Sequence, residues 1–219
     1  MCDMEAAVRL VRDRTPTYVL RVGAEAGGRP TSDLRRPDVT TALVDELGHR
    51  IGTGEARVAV STLFLGYAAR LWCLALGTAE LTGRSLDLDP DVLGWSSSAG
   101  TLTLHCSAPR PGGTPAEEVV DRQLGPLAHA WSRWIAPGAL WGNAASAARG
   151  AGTVLGPAAM SLAEEALAHP LLANRLDPNT HRRASCCLFY RARPGGYCGD
   201  CPLTPHQGFD GRDRSSIRR

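Results

Sequence analysis

Four of the seven cysteines in this 219-residue chain fall between positions 186 and 201. They form an adjacent pair, Cys186 and Cys187, followed after ten residues by Cys198-Gly-Asp-Cys201. Thiols placed by packing needs alone do not concentrate in this way, so the cluster asks for a shared ligand. A C-x-x-C brings two thiolates to one metal through a tight turn; Gly199 lets the backbone bend and Pro202 fixes the exit. Four thiolates satisfy either a zinc ion or a [2Fe–2S] cluster, in which each iron takes two. The adjacent pair helps to separate these. Zinc sites space their paired cysteines by about two to four residues, and vicinal side chains diverge in an extended chain. Two iron centres tolerate that divergence. Leu188, Phe189, Tyr190 and Tyr197 would shield such a cluster, and Gly195-Gly196 would let backbone N–H groups approach its sulfurs. A thioredoxin-like redox pair lacks the surrounding βαβ pattern. The residues alone favour iron–sulfur and leave a zinc staple open.

The elements that must position these thiols are mostly helical. Residues 4–13 suit a short amphipathic helix, and Tyr18–Val22 a short strand. Val39, Leu43, Leu47 and Ile51 recur at four-residue spacing, marking one helix face. Glu55 to Leu76 is apolar on nearly all sides and belongs at the centre of the fold. Cys73, inside it, reads as a small buried hydrophobe. Leu102, Leu104 and Cys106 alternate with Thr103 and His105 as a strand, and Val92, Leu93 and Trp95 offer its antiparallel partner. His105 and Cys106 point to opposite faces of such a strand and do not converge on one ion. Thr114, Pro115 and Glu117 write a capping box for a helix that Gly125-Pro126 should kink or divide. Residues 139–155 are rich in small side chains that permit close packing on the central helix, and Pro157–Ala168 gives a further helix. The stretch Gly150-Ala-Gly-Thr-Val-Leu-Gly156 is loosely like a dinucleotide loop, but a helical pattern rather than a strand precedes it.

The expected fold class is therefore α+β, predominantly helical, with a small antiparallel β-hairpin and a C-terminal four-cysteine loop. Residues 1–179 form the helical domain, 180–203 the cluster-binding segment, and 204–219 a disordered tail with little to bury. A net charge of +2 implies no nucleic-acid partner. The longest apolar run, Val58 to Leu76, is interrupted by Arg70 and falls short of the ~20 residues of a membrane span. No secretion signal is visible at the N-terminus, so the expected location is the cytoplasm, or peripherally the inner face of its membrane. All 24 basic residues are arginine, which excludes Schiff-base chemistry and a P-loop lysine.

At the cysteines the chain resembles the FhuF-like ferric-siderophore reductases, whose signature is an adjacent Cys pair, ten residues and a C-x-x-C. Cys186, Cys187, Cys198 and Cys201 match in type and spacing, as do Arg-Arg-Ala-Ser before them and Gly-Asp-Cys-Pro-Leu around the last. Leu140-Trp141-Gly-Asn-Ala-Ala-Ser146-Ala147 resembles the family's Trp-Gly-Asn segment, and Ser61 with Gly66-Tyr67-Ala-Ala-Arg-Leu71 its central helix. The similarity spans about residues 37–203, with the cysteine motif as its specific part. It implies a [2Fe–2S] cluster on the four cysteines. It also implies one-electron reduction of ferric iron held by a siderophore, a hydroxamate by expectation. No residue beyond the cluster is needed for catalysis, and a separate protein must supply electrons because no flavin or nicotinamide signature is present. Arg182, Arg183, Arg191 and Arg193 flank the cluster and are candidates for attracting an anionic siderophore or an acidic donor. Two other readings stay open: an electron-transfer or redox-sensing protein with the same cluster, and a zinc-stapled interaction protein.

Overall fold

An apolar helix with no polar face has one stable place, the middle of the core. In the computed structural model, which describes residues 3–16, 20–23, 28–98 and 100–204, that helix is α3 (Ala56–Thr82), with Val58, Leu63, Phe64, Tyr67, Leu71, Trp72 and Leu76 all buried. It continues past Leu76, where the apolar run was expected to end. Gly77 is the contact point for Val11 of α1 (Met4–Arg14), whose side chain occupies the space a Cβ would need. The helix ends at Gly83, in the left-handed conformation at φ +80° that suits glycine. By length and composition α3 could cross a bilayer, but most of its apolar window is buried inside the fold.

α1 and α2 (Pro37–Arg50) pack on α3, and α2 buries Val39, Leu43 and Leu47 on one face as their spacing requires. α5 (Pro137–Leu155) lies along α3 over its small residues, and α6 (Pro157–Leu167) covers α5. One hydrophobic core runs from Met4 to Leu172.

The hairpin expected around residue 100 is present as β3 (Gly94–Ser98) antiparallel to β4 (Thr101–Cys106). It is half of a larger sheet. β1 (Leu20–Val22) pairs parallel with β4, and β2 (Arg29–Pro30) antiparallel with β3, giving the order β1-β4-β3-β2. The chain is 55% helical with this mixed four-stranded sheet, so the α+β class holds and the lone hairpin is corrected. β1 answers to the short strand expected over Tyr18–Val22, of which Tyr18 and Val19 lie outside the described residues, while β2 was missed because a two-residue strand carries no periodicity of its own. His105 is buried although its strand pattern assigned it to the outer face. Gly28 and Gly94 leave the room its imidazole fills, and Ser96 Oγ lies 2.8 Å from its Nε2.

The capping box forms as written. Thr114 N–H donates to the Glu117 carboxylate at 2.8 Å, and Glu117 N–H donates to Thr114 Oγ1 at 3.3 Å. The helix then widens into a π-helical segment, Glu117–Leu124, before α4 (Gly125–Trp131). Pro126 has no N–H and its ring crowds the carbonyl four residues back, so Gly125 N–H reaches to Val120 O instead. The tail from Pro205 lies outside the described residues.

Candidate metal centre

Residues 176–204 form an irregular segment laid across the N-terminal ends of α3 and α5. Asp177 starts it: its Oδ1 accepts from the backbone N–H of Thr180 at 2.7 Å and of Asn179 at 3.0 Å. Those bonds, the Thr180 backbone first, hold this carboxyl below the usual carboxylate range. Arg183 N–H donates to Asp200 O at 3.0 Å, which brings the beginning of the segment to the C-x-x-C near its end. Further along, Arg193 N–H donates to Ile51 O at 2.7 Å, and the Arg191 guanidinium pairs with Glu55 at 2.7 Å. The segment is thereby tied to the loop between α2 and α3 as well as to α5.

The contact with α5 explains the Trp141-Gly142-Asn143 segment. Ser185 Oγ donates to Gly138 O at 3.0 Å and sits where a Cβ at position 142 would be. Only glycine admits that approach. One residue on, Asn143 is fully buried. Its amide nitrogen donates to Ser61 O at 3.1 Å and Ser61 Oγ at 2.8 Å on α3, and its Oδ1 accepts from Arg183 Nη1 at 2.8 Å. The other Arg183 terminal nitrogen meets Asp200 at 2.9 Å. A buried chain of polar groups thus runs from the central helix to the cysteine segment: Ser61, Asn143, Arg183, Asp200.

Arg183 also lies beside the Cys187 and Cys198 thiols. Those two sulfurs are 2.9 Å apart, and Cys186 lies against Cys201. The four thiols therefore form two pairs, each joining one cysteine of the vicinal doublet to one of the C-x-x-C. Cys187 and Cys201 are buried; Cys186 and Cys198 are half-buried. Leu188, at φ +66°, turns the chain immediately after the doublet, and its N–H donates back to Cys186 Sγ at 3.3 Å. Leu203 N–H does the same for Cys201 Sγ at 3.4 Å. All four cysteines are free thiols. The Cys198 contact, then the Phe189 backbone N–H and the Arg183 charge, pull the Cys187 thiol below the ordinary thiol range against its burial. By contrast, burial pushes Cys73 up to about 12 and Cys106 up to about 11. Those two are inert core residues, as the sequence suggested for Cys73.

Among the described residues, no three His, Cys, Asp or Glu side chains converge as they would around one metal ion. A single tetrahedral site needs all four ligands on one centre. Two thiol pairs side by side suit two metal centres with two soft ligands each. A further observation bears on the fit. The Nε–H of Arg183 is buried with no hydrogen-bond partner, and an acceptor held among the thiols would complete it.

The four flanking arginines divide. Arg183 is buried and faces inward, so its candidacy as a surface binding group is corrected. It was indistinguishable from its neighbours because an Arg-Arg pair in a loop carries no burial signal. Arg182 bonds the carbonyl and hydroxyl of Thr204. Arg191 pairs with Glu55, and Arg193 is exposed. Sequence reasoning also missed Asp200 as the counter-ion of Arg183. The glycine-rich run 150–156 lies in α5 and its end, in keeping with the rejection of a dinucleotide loop. A cavity of about 670 Å³ lies at the far end of α3, near Ala79, Gly83 and His169. Along the helix Ala79 is about 27 Å from Ser61, so that cavity has no part in the thiol site.

A comparison with curated proteins returns no match. Residues 183–203, however, match the family described as the FhuF 2Fe-2S C-terminal domain. The matched span begins at the buried arginine, takes in all four clustered cysteines and ends at Leu203, so the chain is FhuF-like in the segment that builds its thiol site.

Proposed function

We propose that this chain is a ferric-siderophore reductase: it carries a [2Fe–2S] cluster on Cys186, Cys187, Cys198 and Cys201 and passes one electron to siderophore-bound ferric iron. The observation that carries the reading is the pairing of four free thiols inside the span that matches the FhuF 2Fe-2S C-terminal domain. When bound, the cluster would supply one-electron chemistry at a potential set by its surroundings. Hard oxygen ligands hold Fe³⁺ far more tightly than Fe²⁺, so adding one electron to the substrate iron weakens its hold and frees the metal. No chelator bond has to be attacked, and no general acid, base or nucleophile is called for.

The chain's own residues prepare that transfer. Arg183 offsets thiolate charge in a buried setting, and the Leu188 and Leu203 N–H groups stabilise the two outer sulfurs. Tyr190 and Tyr197 stack with ring centres 5.8 Å apart beside the half-buried Cys198. Arg182, Arg191 and Arg193 give the surrounding surface its positive charge, which suits a hydroxamate complex or an acidic partner. A separate donor protein supplies the electron. The reaction belongs in the cytoplasm, where thiols stay reduced.

The test is a single-turnover experiment. Purified protein should be reddish, with visible absorption and, after reduction, a paramagnetic signal. Mixing the reduced protein with a ferric trihydroxamate and a colorimetric Fe²⁺ chelator should reoxidise the cluster and yield about one ferrous ion per cluster. A cluster that stays reduced, with no ferrous complex formed, removes the reductase reading.

A further inference from the structure

We infer that Arg183 is a positioning residue that sets the reduction potential of the group held by the four cysteines, with Asn143 fixing its orientation and Asp200 opposing its charge. This rests on the proposed cluster. Arg183 is 2% exposed, a burial that a guanidinium tolerates only when paired. Its pairing is incomplete in a particular way. Nη1 is taken by Asn143 and the other terminal nitrogen by Asp200, both at hydrogen-bonding distance, while Nε is buried and unpartnered. The Asn143 and Asp200 bonds hold the planar fork where it lies, beside Cys187 and Cys198, and Asn143 is itself pinned by two donations to Ser61.

The charge balance gives the sign. Reduction adds one negative charge at the thiol site, and a fixed cation in a low-dielectric setting favours the reduced state. Asp200 is the nearest compensating anion and is 26% exposed on its side chain, so it weakens the cation without cancelling it. Removing the cation must lower the potential. Removing the carboxylate must raise it. The Arg183 pair acts on the Cys187–Cys198 side, while the Cys186–Cys201 side receives backbone N–H donors only.

The experiment is potentiometry on cluster-loaded full-length protein, following the visible bands of wild type, Arg183→Gln, Arg183→Lys and Asp200→Asn. Arg183→Gln should be tenfold or more harder to reduce, a fall of at least about 59 mV for one electron. Arg183→Lys, which keeps the charge but not the fork, should fall less. Asp200→Asn should shift the other way, and as a half-exposed isosteric change it keeps the inference testable if Arg183→Gln does not load. Arg183→Gln with an unchanged potential, or Asp200→Asn with an unchanged or lowered one, overturns the inference and leaves the reductase reading standing. A wild-type chain that binds no cluster overturns both.

Discussion

Two buried polar networks brace this fold, and they differ in whether they are finished. The first surrounds the π-helical segment. Arg122 meets Asp87 and Asp89 at 2.8 Å and Glu118 at 3.0 Å, and Glu118 accepts from the N–H groups of Leu88 and Gly113. Gln123 donates to Leu88 O and accepts from Tyr67 Oη at 2.7 Å. No buried side-chain nitrogen or oxygen of Glu118, Gln123 or Tyr67 lacks a partner. The second network, Ser61 to Asp200, ends on an arginine with a free buried Nε beside four thiols. A closed network specifies packing. An open one beside four thiols leaves a buried donor that the proposed cluster would complete.

Breaking the open end has the largest effect. Cys198→Ser should abolish the visible absorption of the loaded protein while the far-ultraviolet helical signal persists. A fully loaded, unchanged spectrum would contradict the ligand assignment. Breaking the closed network should do the reverse. Glu118→Ala strands the buried Leu88 N–H and the half-buried Gly113 N–H, so urea unfolding should show a loss of about 2–4 kcal/mol with the visible spectrum unaltered. The junction between loop and helix comes next. Gly142→Ala drives a methyl into Ser185 and should cost about 1–3 kcal/mol along with part of the cluster occupancy. Adding Ser185→Ala should recover both; failure of that rescue would mean the glycine serves another purpose.

The smallest effect is a control. His105 Nδ1 is also buried and unpartnered, with no thiol pair nearby. Burial, then the Arg21 charge, lowers its pKa below the ordinary histidine value near 6.5. A lowered histidine is stabilising while neutral, so its contribution is complete above the unfolded value and is lost as pH falls through about 6.5 toward the folded one. His105→Gln should flatten this part of the stability profile in denaturation at pH 7.5 and 5.5, with the cluster spectrum untouched. A changed spectrum would join the sheet to the site.

How much of this was legible follows from which forces were local. The capping box at Thr114 and the apolar face of α2 depend on residues a few positions apart, and each appears where its spacing placed it; the four thiols gather, but they pair across the two motifs rather than within the C-x-x-C. The Ser61–Asn143 bond joins residues 82 apart. Its sequence signature was present but faint: a polar residue set among small and apolar neighbours in each of two helices. Gly77 and Gly142 carry no local signal of their purpose, and their reason lies in Val11 and Ser185, remote in the chain. The four arginines were alike in sequence and were separated only by what the fold packed around them.

The Arg191–Glu55 pair spans 136 residues, and Arg193 leans on Ile51, further back still. The chain's last described stretch therefore has no docking surface until the α2–α3 corner and the start of α5 have already met, and contacts of such long range form late because the loop they close costs entropy first. If the chain holds the proposed cluster, loading falls at the end of maturation, and the free energy of holding it accrues to the one segment that arrives last. Resistance of the 176–204 stretch to a protease would thus serve as a clock for completion, independent of colour or electron transfer.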